Sequence, residues 1–168
     1  MTLLKLRYWP DPCLCQTCER VAEAEDVSTL AQDMLATMYE APGRGLAAPQ
    51  VGIMKRLFVM DCTWKEGTGT PLVCINPEII EASIEQITGQ EGCLSIPELP
   101  VDVTRPAEVT LRWRDLSGQT QEQHLSGFEA KCAQHELDHL NGVVLFDHMS
   151  AALRAELEPI YLERLTWV

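Results

Sequence analysis

No stretch of this 168-residue chain is apolar for long enough to span a bilayer, since its longest apolar runs are "LFVM" (57–60) and "VVLF" (143–146). The opening "MTLLKLRYWPDP" has neither an apolar core nor a small-residue cleavage site. That predicts no signal peptide and a cytoplasmic location. Basic residues are scarce as well: 13 Lys and Arg against 25 Asp and Glu leave a net charge of −12. A sequence-independent grip on nucleic-acid phosphates needs clustered cations, so direct nucleic-acid binding is not expected, whereas a cationic docking partner is compatible. Nor is there a disulfide framework. Seven cysteines is an odd count, which without a secretion signal fits free thiols in a reducing compartment. Cys13, Cys15 and Cys18 crowd together in "PDPCLCQTCERV", but no second Cys or His group follows to complete four ligands. They read as small apolar fillers of a packed N-terminal segment. Repeats, low-complexity tracts and long linkers are absent too, so residues 1–168 are expected to form a single domain.

Hydrophobic residues make up 46% and charged residues 23%, enough for an ordinary folded core. Val27, Leu30, Met34, Leu35 and Met38 recur at helical spacing, which predicts a helix from Asp26, its N-cap, to Glu40, ended by Pro42 and Gly43. "RLFVMDCT" and "PLVCINPEII" read as strands, and "EVTLRWRD" and "QTQEQHL" as a hairpin about "LSG". A second helix is predicted over 128–140, stopped near Gly142, and a last one from about Ser150 that Pro159 should kink or interrupt. The order is helix, several short strands, helix, strand, helix. Without regular alternation, the fold class is α+β with mainly antiparallel strands.

The stretch "AQHELDHLNG" (133–142) carries the most chemistry. His135 and His139 lie one helical turn apart on one face and can point at one ion. Glu136 sits about 100° around the helix, near enough to serve a water on that ion without ligating it. Metallohydrolases use this arrangement, although the pattern also occurs on plain polar helix faces. Cys132 and Phe128 continue the histidine stripe, and a stripe that buries two histidines must satisfy them. A third ligand is still needed. Cys93, in the polar, glycine-flanked loop "GQEGCLSIPELP", is the candidate, with a buried core thiol as the alternative. In "APGRGLAAPQVG" (41–52), Gly43, Gly45 and two alanines imply backbone running close past something bulky. A phosphate loop there lacks its lysine. Gln50 is either a donor that polarises a carbonyl oxygen or a surface amide.

"GRGLAAPQ", "EGCLS" and "QHELDH", in this order, resemble the three motifs of the peptide deformylase family. "PDPCL", "INPEI" and "SIPE" are similar to further family segments, so the likeness runs from about Asp11 to Ser150. The resemblance implies antiparallel sheets packed around a central helix bearing the HExxH motif, with a C-terminal helix. It implies a metal-dependent hydrolase that removes the N-formyl group from the N-terminal methionine of new polypeptides. Cys93, His135 and His139 would hold the metal and Glu136 would be the base. Gln50 and the Leu94 N–H would face the oxyanion, and Gly45 would contact the peptide backbone. Phe128 and Cys132 would line the methionine pocket. Ligand types alone suggest Zn2+. The resemblance puts Fe2+ first, with Zn2+, Ni2+ or Co2+ possible in a purified sample. The expected partners are N-formylmethionyl peptides, nascent chains and the ribosome.

Arg44 stands where many members of that family carry an apolar residue. It is expected to face solvent, with peptide contact as the alternative. Pro100 occupies a loop position where a basic or aromatic residue often holds peptide. Arg105 and Asp138 are expected to pair behind the histidine helix. Two other readings stay open, a metallopeptidase and a deformylase-like metal-binding protein with altered or lost activity.

Overall fold

The computed structural model describes residues 1–165; the last three residues of the expected 1–168 domain lie outside the described residues. Among the described residues three α-helices, α1 (Ser28–Glu40), α2 (Gly127–Leu140) and α3 (Ala151–Leu165), accompany seven strands. These are β1 (Gly45–Ala47), β2 (Leu57–Met60), β3 (Leu72–Ala82), β4 (Gln86–Cys93), β5 (Ile96–Pro106), β6 (Glu108–Arg114) and β7 (Thr120–Ser126). One sheet has the order β1-β2-β3-β6-β7, and β4-β5 form a separate hairpin. Every pairing between these strands is antiparallel. The α+β expectation is met.

The all-apolar run "LFVM" is explained by burial on both faces of β2. Leu57 and Val59 join the cluster with Met34 and Met38 of α1. Phe58 and Met60, pointing the other way by strand alternation, join Ala130, Ala133 and Leu140 of α2. Helix α2 is therefore packed on the sheet along its small-residue side, while its histidines face the β4-β5 hairpin. A third cluster unites Cys93 and Ile96 of that hairpin with Leu14, Phe146 and Tyr161 of α3. In β3, Asn76 (φ 49) sits at a register shift. Its side chain accepts from the Val21 N–H and donates to the Val21 carbonyl, which pins the N-terminal segment.

Several expectations are corrected. Val27, not Asp26, is the N-cap of α1. The Asp26 carboxylate bonds locally to the Ser28 N–H and hydroxyl instead, at 2.9 and 2.6 Å, which delays the helix start. "VVLF" is not a strand but leads into a 3-10 turn over Leu145–His148 whose apolar residues are buried in the third cluster. Pro159 does not interrupt α3. Pro159 and Ala155, whose carbonyl loses its partner, are both exposed, so water can replace the missing bond. Cys15 is exposed rather than a buried filler, Cys13 is half-buried and only Cys18 is buried. Among the described residues no helix is long and apolar enough to cross a membrane.

Candidate metal centre

Helix α2 presents His135 and His139 one turn apart, with their Nε2 atoms 3.3 Å from each other. Cys93 is not in a loop but ends strand β4, where the tight Cys93↔Ile96 pairing aims its thiol at α2. Its Sγ lies 3.4 Å from His139 Nε2. The three ligand atoms all fall within 4.8 Å of one another. A tetrahedral ion about 2.05 Å from each nitrogen and about 2.3 Å from sulfur requires edges of about 3.3 Å (N···N) and about 3.6 Å (N···S). The donor set fits a divalent cation in both spacing and chemistry.

Electrostatics point the same way. His135 Nδ1 meets Glu91 Oε1 at 3.1 Å, which turns Nε2 toward the other two donors. Glu91 takes two bonds from Arg105, Nε to Oε2 at 2.7 Å and Nη2 to Oε1 at 2.9 Å. Arg105 Nη1 also reaches Asp138 Oδ2 at 2.9 Å, so the expected Arg105–Asp138 pair exists. Asp138 in turn meets His148 Nε2 at 2.8 Å. Burial works to raise the Glu91 carboxyl, but His135 and Arg105 outweigh it and hold the group at about 2. Burial likewise pulls His135 down, yet hydrogen bonds to Cys93 and Glu91 bring it well above the ordinary histidine value. Surroundings that favour a proton on this ring also favour a cation on its Nε2. His139, buried and beside His135, is held well below that value and stays neutral, as a ligand must. Sequence reading missed Glu91. Its signal is that it stands two residues before Cys93, where strand alternation gives both the same face.

Glu136 is buried, and its Oε2 has no hydrogen-bond partner among the described residues. Burial is the main cause that lifts its carboxyl to about 7. It lines a cavity of about 520 Å3 with Gly45, Leu94, Cys132 and Phe128. The implied close approach at the glycines is real: a Cβ on Gly45 would lie 2.6 Å from Glu136 Oε1 and 2.9 Å from Cys132 Sγ. Gln50 is no surface amide but 1% exposed. Its Oε1 accepts from the Ala47 N–H at 2.9 Å, so its Nε2 faces Ser95 Oγ (3.1 Å) and Cys93 Sγ (3.7 Å). Pro100 lines the same cavity from within β5 rather than from a loop. Arg44 is half-buried at the rim of the cavity. It donates to the Cys62 carbonyl and Glu66 and lies 5.0 Å from the Phe128 ring centre.

Residues 3–155 match the family model for polypeptide deformylase. The chain belongs to the polypeptide deformylase family. It is 46% identical over 155 residues to the peptide deformylase of Rhizobium meliloti, covering 92% of this chain and 89% of that one. Its fold is similar to that of the Synechococcus elongatus deformylase crystallised with actinonin, at TM-score 0.84 and 43% identity over 90% of this chain and 83% of that one. The Legionella pneumophila deformylase is similar at TM-score 0.89 and 36% identity, over 98% and 96% of the two chains. Membership makes this deformylase an enzyme: a metal-dependent hydrolase that removes the formyl group from N-terminal methionine. The metallopeptidase and inactive-relative readings find no support in these likenesses.

Proposed function

We propose that Cys93, His135 and His139 hold one divalent cation through Sγ and two Nε2 atoms, and that Glu136 is the proton-transfer group of the deformylation. The observation that carries this is three converging donors beside a buried carboxylate with an unpartnered oxygen. A bound divalent ion supplies a Lewis acid that makes a neighbouring water more acidic. Glu136 takes a proton from that water and later passes it to the departing nitrogen. In balance, water adds across the formyl C–N bond, formate leaves and the methionine amine is freed. The Gln50 amide and the Leu94 N–H donate to the oxygen on which charge develops. Gly45, having no side chain, lets the substrate backbone approach Glu136. Phe128 and Cys132 line the pocket for the methionine side chain, and Arg44 closes its rim.

The thiolate and two imidazoles suit iron, zinc, cobalt or nickel. We take ferrous iron as the working metal, on the family resemblance. The substrates are N-formylmethionyl peptides and nascent chains, met at the ribosome in the cytoplasm. The test is anaerobic loading with ferrous iron, followed by a formyl-methionyl peptide and an internal-bond analogue. Formate release that Glu136→Ala abolishes supports the reading, and cleavage of the internal bond sinks it.

A further inference from the structure

We propose that Lys131 is a specificity-determining residue, which lets the enzyme deformylate chains whose first side chain carries a strong hydrogen-bond acceptor near its end, above all methionine sulfoxide. The proposal rests on the reading that the first side chain runs along α2 toward Phe128 and Cys132. Lys131 precedes His135 by one helical turn and Phe128 precedes it by two, roughly 6 and 10 Å along the axis. That is the reach of a methionine side chain whose formyl end is held at the triad.

Lys131 lines the main cavity and also a smaller one of about 190 Å3 behind it, forming the shared wall with Phe128 and Glu91. Its ammonium sits 4.8 Å from the Phe128 ring centre and donates to the Gln90 carbonyl at 3.2 Å. Among the described residues no carboxylate pairs with it. The nearby Arg44, by contrast, is committed to Glu66 and the Cys62 carbonyl. An ammonium has three donors, so Lys131 keeps donor capacity beside the Phe128 ring, in a cavity that Cys132, Gly45, Gln90 and Glu91 also line. A thioether, a weak acceptor, makes little use of it. A sulfoxide oxygen at the same place along the side chain accepts a charge-assisted bond, which offsets the cost of placing a polar group against Phe128 and Cys132. The reacting atoms are unchanged: water still adds across the formyl C–N bond, and the sulfoxide is neither reduced nor consumed.

The test measures kcat/KM for a formyl-methionyl peptide and its sulfoxide counterpart on the iron-loaded wild type, Lys131→Met and Lys131→Arg. The sulfoxide-to-methionine ratio is taken within each preparation, so any loss of folded or loaded enzyme cancels. We expect the ratio to fall about tenfold or more in Lys131→Met, the loss of one charged hydrogen bond, and to be largely kept in Lys131→Arg. An unchanged ratio in Lys131→Met overturns the proposal. Phe128→Ala tests the underlying reading separately: if it leaves kcat/KM for the methionyl peptide untouched, the pocket lies elsewhere and the proposal falls with it.

Discussion

Gly45→Ala is the sharpest probe of how the site is built. An added Cβ would stand 2.6 Å from Glu136 Oε1 and 2.9 Å from Cys132 Sγ. Ordinary carbon–heteroatom contact needs several tenths of an ångström more, so either β1 or the Glu136 carboxylate must move by roughly 0.5–1 Å. Cys132 is buried, and the Glu136 carboxylate, which faces the cavity, is itself the reacting group, so the shift falls on β1 or on that carboxylate. A misplacement of about 1 Å at a reacting group costs on the order of a hundredfold in rate. None of the three atoms nearest that Cβ belongs to the metal donors Cys93, His135 and His139. We therefore expect kcat to fall about a hundredfold while metal stoichiometry is retained. Gly43→Ala should cost less, because its Cβ meets Leu94 Cδ1 at 2.7 Å, the end of a flexible side chain. Anaerobic steady-state kinetics with metal analysis on the same samples would measure both. Wild-type turnover in Gly45→Ala, or metal loss in place of rate loss, would refute the reasoning.

Glu91→Gln keeps the side chain's shape but removes the charge that orients His135 and anchors Arg105. Metal affinity should weaken about tenfold to a hundredfold, read by competition with a chelator, and an unchanged affinity would count against the orienting role. Tyr39→Phe tests a pH-dependent contact away from the centre. The buried Asp61 accepts from the Tyr39 hydroxyl at 2.6 Å and from the Thr63 and Thr70 N–H groups. Burial acts to raise its carboxyl, but these donors outweigh it and hold it below the ordinary 3.8. The sign follows: this stabilisation is complete above about pH 4 and is lost as pH falls through the folded value. Tyr39→Phe, which keeps the ring packed on Trp64, should cost about 1.5–3 kcal/mol at pH 7 and progressively less in acid. Urea midpoints followed from pH 7 down through the folded value of Asp61 decide it, and a deficit that stays constant over the whole range would overturn the assignment.

The parts of this molecule legible in the sequence are those whose chemistry is periodic or punctuated. Helix α2 was readable because its stripe recurs at helical spacing and Gly142, at φ 72, ends it. The β6–β7 hairpin was readable from its turn, where the Asp115 carboxylate gathers Ser117 and Gln119. Strands β4 and β5 were not, because only part of one face is apolar. Val101, Val103 and Arg105 alternate inward, but the last is an arginine whose burial Glu91 and Asp138 together make tolerable. A buried ion pair looks like surface polarity until the partner is known. For the same reason Glu91 reads as part of a polar loop, and Cys93 beside it reads the same way.

The precision of the centre also depends on segments that carry no motif. Gln50, Ser95 and Leu140 belong to three stretches far apart in the chain, and each is gripped by the backbone of the N-terminal segment. The Arg7 N–H donates to the Gln50 carbonyl at 2.7 Å, Trp9 to Ser95 at 2.9 Å and Cys18 to Leu140 at 2.9 Å. The Tyr161 hydroxyl of α3 then holds the Trp9 carbonyl at 3.0 Å. Donors only 3.3–3.4 Å apart tolerate little relative movement of the elements that bear them, and a working constellation must be held within about 0.5 Å. Backbone bonds of this kind leave no residue-type signature, because almost any side chain is compatible with them. The three motifs therefore supply the reacting groups, while the spacing between those groups is braced by backbone bonds from an N-terminal segment whose side chains take no part in them.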